Sequence, residues 1–252
     1  MAGSAAARAR YGGLMQLITV VAPVFGANCY VLAADDRTCV IVDPGGGAAD
    51  GVRRAVREQG LTPVAVLATH GHVDHTWDAA ELSEEYDVPV LLHRADEYRL
   101  ADPFGTLGLG GAHDPAGPLA QSLQSLGIAP GDYRVPARVD PFGGEPGADG
   151  RSADEVLDLG GLRLVARHAP GHTEGATLYL LDVQPAPVAF TGDVLFSGTV
   201  GRTDLPGGDD RAMTRTLAEV VRALPGDTVV LPGHGPGTTM DDELGRNPYL
   251  AR

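Results

Sequence analysis

Residues 67 to 76 read LATHGHVDHT and set three histidines and an aspartate within six positions at the end of an apolar run. The run Val64 to Ala68 reads as a buried strand, so Thr69 to His75 is expected to form the loop at its end and to lead into a helix. A loop can turn positions 70, 72, 74 and 75 inward together, which neither a strand nor a helix allows. Gly71 is expected to permit the tight path between His70 and His72. Neutral imidazoles and a carboxylate suit zinc or iron. Four such ligands exceed what one ion with an open coordination position uses, so two ions are the natural reading.

Three later stretches extend the set: APGHTEG with His172, FTGDVLF with Asp193 and LPGHGP with His234. Each follows or ends a strand-like run, and each ligand sits beside glycine, so all could converge on one edge of the sheets. A single histidine before glycine is usually a turn or core residue. Four segments of this kind in order are a different matter.

Strand-like runs occur at Gln16 to Val24, Asn28 to Ala33, Cys39 to Val42, Val64 to Ala68, Val88 to Leu92, Leu162 to Ala166, Thr177 to Leu181, Val188 to Phe190 and Thr228 to Leu231. Helical periodicity marks Ala49 to Gln59, the stretch around Thr76 to Glu85, and Asp209 to Ala223. A strand meander followed by mixed strands and helices implies an α/β protein of packed sheets with helices outside. Residues 1–12 read as a frayed terminus and 13–252 as one domain. Within it, 101–150 holds eleven Gly and seven Pro and reads as an insertion, either a lid over the site or a plain surface loop.

The four segments T-H-G-H-V-D-H, G-H-T, T-G-D and P-G-H-G resemble the metallo-β-lactamase superfamily. The stretch F-S-G-T-V-G-R-T-D-L-P-G-G-D from Phe196 to Asp209, then H-G-P-G-T-T and R-N-P-Y-L, resembles the short glyoxalase II-like hydrolases. The resemblance implies an αββα sandwich and a dinuclear centre. His70, His72 and His172 would hold one ion, Asp74, His75 and His234 the other, and Asp193 would bridge; zinc is the first expectation and iron the alternative.

Metal binding lowers the pKa of water to about 7, and a thiol of pKa about 8.5 leaves readily as thiolate, so thioester hydrolysis needs no further acid. Asp74 is expected to orient the nucleophile. Where glyoxalase II relatives carry a Lys and, two positions on, a Tyr, this chain has Arg202 and Asp204. Arg202 could grip a substrate carboxylate or simply pair with Asp204 or Asp209. The chain runs eighteen residues past His234, and the relatives' added helical region is not expected, which leaves the thiol carrier open.

Other readings stay in play. A relative with a single iron on His70, His172 and Asp193 would be a persulfide dioxygenase, and a metal-stabilised binding domain would show no turnover. A β-lactamase fits less well because Asp193 is present and no signal peptide is apparent. The oxidising di-iron relatives carry Glu where His72 stands. Asp43 in VDPG could hold a ligating imidazole or form a turn. His168 and His93 read as supporting or strand-end residues, His113 as a solvated loop residue, and Trp77 as packing against the sheet.

Charge and cysteines bound the setting. The balance of 19 basic and 33 acidic residues, net -14, opposes nucleic acid and anionic membrane surfaces as partners and leaves a small-molecule thioester as the expected one. All basic residues are Arg, which reads as a genome-composition bias. Cys29 and Cys39 are placed on a hairpin turning at residues 34–37, with Cys29 opposite Val42 and Cys39 opposite Leu32. That register predicts free thiols and a reducing, cytoplasmic setting.

Overall fold

The computed structural model describes residues 7–11, 15–34, 37–108, 121, 124, 125 and 129–250. Two six-stranded sheets pack face to face. The first runs β1 (Ala7–Tyr11), β2 (Met15–Val21), β3 (Asn28–Ala33), β4 (Thr38–Val42), β5 (Thr62–Leu67) and β6 (Val90–Leu91) in spatial order. The second runs β14 (Thr238–Thr239), β13 (Val229–Pro232), β10 (Val188–Gly192), β9 (Thr177–Leu181), β8 (Leu162–His168) and β7 (Glu155–Leu159). Strands β4, β5 and β6 are mutually parallel, as are β10 and β13, and the other neighbours are antiparallel. A separate hairpin, β11 (Leu195–Phe196) with β12 (Thr199–Val200), follows β10.

Alternation along the strands builds three apolar layers. Leu17, Tyr30, Leu32, Val40, Leu67, Leu164, Tyr179 and Phe190 fill the space between the sheets. The opposite face of the first sheet packs Val31, Ile41 and Val66 against α1 (Ala49–Gln59) and α3 (Ala79–Tyr86). The outer face of the second packs Leu178, Ala189 and Val230 under α5 (Asp210–Glu219). This is the αββα sandwich that the motifs imply. Tyr30 and Phe190, from facing sheets, meet edge to face at 5.3 Å.

The helices follow their sequence signals. In α1 the buried residues Ala49, Val52, Ala55 and Val56 form one stripe, Asp50 lies in the first turn, and Gly60 ends the helix at φ 61. Helix α5 starts where Asp209 accepts the N–H groups of Arg211 and Ala212 at 2.7 and 2.9 Å.

Several expectations change. Ala7–Tyr11, read as part of a frayed terminus, pair with β2. The β3–β4 hairpin is shifted by one residue from the expected register: Cys39 faces Ala33 and Val42 faces Tyr30. The connection is three residues long, closed by Ala34 N–H to Thr38 O at 2.8 Å, with Arg37 at φ 72. The shift puts both cysteines on the helix-covered face, where they are buried and free. Cys29 lies four residues along the strand from the partner of Cys39. Four residues span about 13 Å, well past the reach of a disulfide.

The stretch expected as one helix around Thr76 to Glu85 is two, α2 (Val73–Thr76) and α3. Strand β7 and α6 (Met240–Arg246) were absent from the sequence reading. The flanks of the Gly/Pro-rich segment are built into the fold: α4 (Glu97–Ala101) enters it, Phe104 and Leu107 are buried, and Val139 and Phe142 bridge to Val90 and His93. His113 and the centre of the supposed lid lie outside the described residues.

Asp78 joins α3 to α1 by accepting the Ala49 N–H at 2.8 Å. Burial pushes its carboxyl up to about 6. Between about pH 4 and 6 the unfolded chain therefore releases this proton while the folded one keeps it, so the group's contribution to stability falls as pH rises. Urea midpoints are expected to show the stability difference between wild type and Asp78→Asn shrinking through that window and level above it. A difference independent of pH would refute the assignment.

Candidate metal centre

All segments that carry the seven candidate ligands leave the carboxyl ends of strands. His70, His72, Asp74 and His75 follow β5, His172 follows β8, Asp193 follows β10 and His234 follows β13. Ligands in α/β sheets characteristically gather at such ends. The motif is half loop and half helix: His72 is the N-cap residue of α2, so Asp74 and His75 stand on a helical turn, not in the loop expected for them. Gly71 is not among the residues with positive φ. Its need for glycine is steric, because a Cβ there would meet Arg99 Cβ at 2.8 Å and Asp96 O at 2.9 Å.

The seven predicted residues meet in two adjoining groups. In the first, His72 Nδ1 lies 3.1 Å from His70 Nε2 and 2.9 Å from His172 Nε2. In the second, His234 Nε2 lies 3.2 Å from Asp74 Oδ2 and 3.3 Å from His75 Nε2. Asp193 stands between them. Its Oδ2 is 3.6 Å from His172 Nε2 and 3.7 Å from His234 Nε2, and its Oδ1 is 3.3 Å from His75 Nε2. A Cβ at Gly233 would run into that Oδ1, so glycine there keeps the approach open.

Hydrogen bonds from outside the cluster set the tautomers. The Arg202 carbonyl can only accept, so His172 Nδ1 carries a proton to it at 2.7 Å and Nε2 presents its lone pair inward. Asp43 Oδ2, 3.1 Å from His75 Nδ1, accepts that ring's Nδ1–H and leaves Nε2 facing the cluster. Thr69 Oγ1 donates to Asp43 Oδ2 at 2.7 Å and so faces His70 Nδ1, 3.2 Å away, as an acceptor. Of the two roles open to Asp43, holding an imidazole is the one observed, and the residue also sits at φ 52. Thr69 was not singled out from sequence; its signal was a hydroxyl beside the first histidine.

Burial and crowding hold His70 well below its ordinary imidazole value, and burial with His172 nearby brings His72 down to about 3. Burial opposes protonation of His75 as well, but Asp74, Asp193 and Asp43 raise it well above the ordinary value. Asp74, half-buried, is held far below the usual carboxylate range by His75 and His234 against the opposing effect of desolvation. His72 Nε2 and Asp193 Oδ1 are buried with no hydrogen-bond partner. Five imidazoles and two carboxylates directed at one another, with Asp193 Oδ1 buried and without a hydrogen-bond partner, fit a divalent cation of borderline softness. Three clusters within the set, His70–His72–His172, His70–His75–Asp193 and Asp74–His75–His234, each bring their ligand atoms within 4.8 Å.

Arg202 is exposed, and its guanidinium pairs with Asp204 through Nε–Oδ1 at 2.6 Å and Nη2–Oδ2 at 2.7 Å. Its carbonyl, not its side chain, reaches the cluster. His93 and His168 stack at 4.0 Å and stand apart from the ligands. His93 Nε2 meets Ser152 Oγ at 2.9 Å, and His168 Nε2 donates to Glu174 O at 2.7 Å. Trp77 packs edge to face against Phe104 and Tyr133.

A family model described as the metallo-beta-lactamase superfamily matches residues 22–234. The chain belongs to this superfamily, whose fold binds metal ions and whose members are metal-dependent hydrolases. It is 39% identical over 233 residues to an uncharacterized Mycobacterium tuberculosis protein, covering 91% of this chain and 95% of the other. A probable metallo-hydrolase of Bacillus subtilis, YqgX, is 36% identical over 89% of this chain and 92% of its own. The hydroxyacylglutathione hydrolase GloC of Haemophilus influenzae is 30% identical over 94% and 97%. Among solved structures, the B3 metallo-beta-lactamase BLEG-1 matches with TM-score 0.73 and 31% identity, covering 94% of this chain and all of that one. A di-iron-bound form of TTHA1623 matches with TM-score 0.66 and 31% identity over 92% and 99%. Among the described residues no helix is long and apolar enough to cross a membrane.

Replacing Asp43 by Asn removes an acceptor from both ends of the segment Thr69 to His75 while tolerating the left-handed backbone. Outer partners of this kind typically carry 10–100-fold in metal affinity. Chelator competition with Zn2+ is expected to show a loss of that order, and an unchanged affinity would show that Asp43 serves the turn alone.

Proposed function

We propose that this protein is a dinuclear metal-dependent hydrolase that cleaves the thioester of a low-molecular-weight thiol. The observation that carries the reading is the position of Asp193, with one carboxylate directed at histidines of both groups. In this reading His70, His72 and His172 hold one ion and Asp74, His75 and His234 the other, with Asp193 shared. Zinc suits the donor set, and the di-iron form of TTHA1623 keeps iron as the alternative. When bound, such ions polarise a carbonyl and lower the pKa of water to about 7.

The rest falls to the chain. Asp43 and the Arg202 carbonyl hold Nδ1 of His75 and His172, so each ring keeps its orientation with Nε2 facing the cluster. Asp74, held ionised by its two histidine neighbours, is the acceptor placed to orient a water molecule. Burial of His70, His72 and His75 keeps bulk water from one side of the centre. No side chain is required to protonate the leaving group, because a thiol of pKa about 8.5 departs as thiolate near neutral pH. The description of the Haemophilus relative as a hydroxyacylglutathione hydrolase supports a thioester in particular. The acid-rich composition fits a small molecule, not a nucleic acid or membrane, as the partner, and a cytoplasmic setting agrees with two free buried thiols.

Metal analysis paired with a substrate panel tests this. Two equivalents of metal and cleavage of acyl thiols are expected, and Asp193→Asn should lower metal content and turnover together. One iron per chain with oxygen uptake would favour a dioxygenase, faster turnover of a β-lactam than of any thioester would favour the BLEG-1 activity, and full metal with no turnover would favour a binding domain. Each of these results would overturn the proposal.

Arg202 is the candidate for gripping a substrate carboxylate, in exchange for Asp204. Arg202→Ala is then expected to raise KM for carboxylate-bearing thioesters and to leave neutral ones nearly unchanged. Equal kinetics on both would confine Arg202 to its ion pair.

A further inference from the structure

Beneath the first group of histidines lies a carboxylate that takes no part in ligation. Asp96, in the 3-10 turn Arg94–Asp96 after β6, is fully buried. Its Oδ2 accepts the Gly71 N–H at 2.8 Å and the Thr173 hydroxyl at 2.7 Å. Its Oδ1 accepts the Gly175 N–H at 2.7 Å and Arg99 Nε–H at 3.3 Å. Gly71 separates His70 from His72, and Thr173 follows His172. One carboxylate therefore joins the two loops that supply this histidine trio, and those loops come from different sheets.

The contacts leave these loops little freedom. A Cβ on Gly175 would meet Asp96 Cβ and N at 2.8 Å, and a Cβ on Gly71 would meet the Asp96 carbonyl at 2.9 Å. The counter-charge is supplied locally by Arg99, itself buried, which also donates to Glu174 and to Pro206 O at 3.0 Å. Charge-assisted bonds from a buried carboxylate to backbone N–H groups are the stronger class of hydrogen bond, and leaving such groups unpaired is costly. None of the contacts of Asp96 reaches Asp74, His75, Asp193 or His234. Asp43 reaches His75 of the second group directly, and His70 of the first only through the Thr69 hydroxyl.

We infer that Asp96 is a positioning residue that presets the His70–His72–His172 trio for one of the two ions by tying its two loops together. The inference rests on the dinuclear reading above. Asp96→Asn tests it with little change in volume, since the amide keeps one acceptor oxygen and turns its NH2 toward N–H donors. Titration of the full-length protein with Co2+, followed by visible absorption and by chelator competition, resolves the binding steps. His172→Ala and His234→Ala mark which step belongs to which group.

The expected result is a 10–100-fold loss of affinity at the step marked by His172→Ala, with an altered Co2+ spectrum for that step and the step marked by His234→Ala unchanged. Equal weakening of both steps, or no change in either, would overturn the inference. Thr173→Val, which removes one of the four bonds and no charge, should weaken the same step to a smaller degree. If Asp96→Asn fails to fold, unchanged affinities in Thr173→Val overturn the inference by themselves. A wild-type protein that takes up one equivalent of metal would instead sink the dinuclear reading and the selectivity argued from it.

Discussion

The buried carboxylate of Asp43 is the interaction on which the architecture of the centre depends. It follows β4, accepts the Thr69 N–H and hydroxyl from the neighbouring strand end at 2.7 Å each, and accepts the His75 Nδ1–H. Without it, the two ends of the segment after β5, at Thr69 and His75, would have no shared acceptor at the end of the neighbouring parallel strand. The left-handed backbone at Asp43, φ 52, is a local cost of aiming the carboxylate at both. A single buried anion thus sets one ring directly and a second through the Thr69 hydroxyl.

The sandwich contributes the other half of the preorganisation. Tyr30 from the first sheet donates to Pro232 O beside His234, at 2.7 Å, and Tyr179 from the second donates to Ala68 O beside Thr69, at 2.9 Å. Asn28 adds bonds to Pro232 O and Gly235 O at 3.0 and 2.9 Å. Each bond crosses from one sheet to a ligand-bearing loop of the other. The apolar layer between the sheets brings the strand ends together without fixing their offset, and these polar ties fix it.

The candidate ligands were legible in the sequence because their chemistry is local. Five histidines and two aspartates, five of the seven directly beside a glycine, are visible residue by residue, and the strands before them carry clear apolar patterns. The β3–β4 register was misread by one residue because Arg37 at positive φ turns a four-residue connection into a three-residue one, and an arginine does not announce that conformation. Strand β7 was missed because only Leu157 of EVLDL is buried, as suits an edge strand with little apolar pattern to show. The helical placement of Asp74 and His75 was missed because α2 is a single turn, too short for a periodicity to register.

Asp96 shows a different limit. In LLHRADEYRL it stands among charged residues at helical spacing and reads as the solvated start of a helix. Its burial comes from contacts more than seventy positions away, at Thr173 and Gly175, and from Arg99 turning inward with it. A charged pair of this kind gains little stability over an apolar pair of the same volume, because both ions must leave water. What it gains is direction: a carboxylate accepts along fixed lines, and hydrocarbon packing does not. Supporting residues around a metal centre are in this way less legible than the ligands, since the ligands declare their chemistry by type and the supports acquire theirs only from tertiary neighbours.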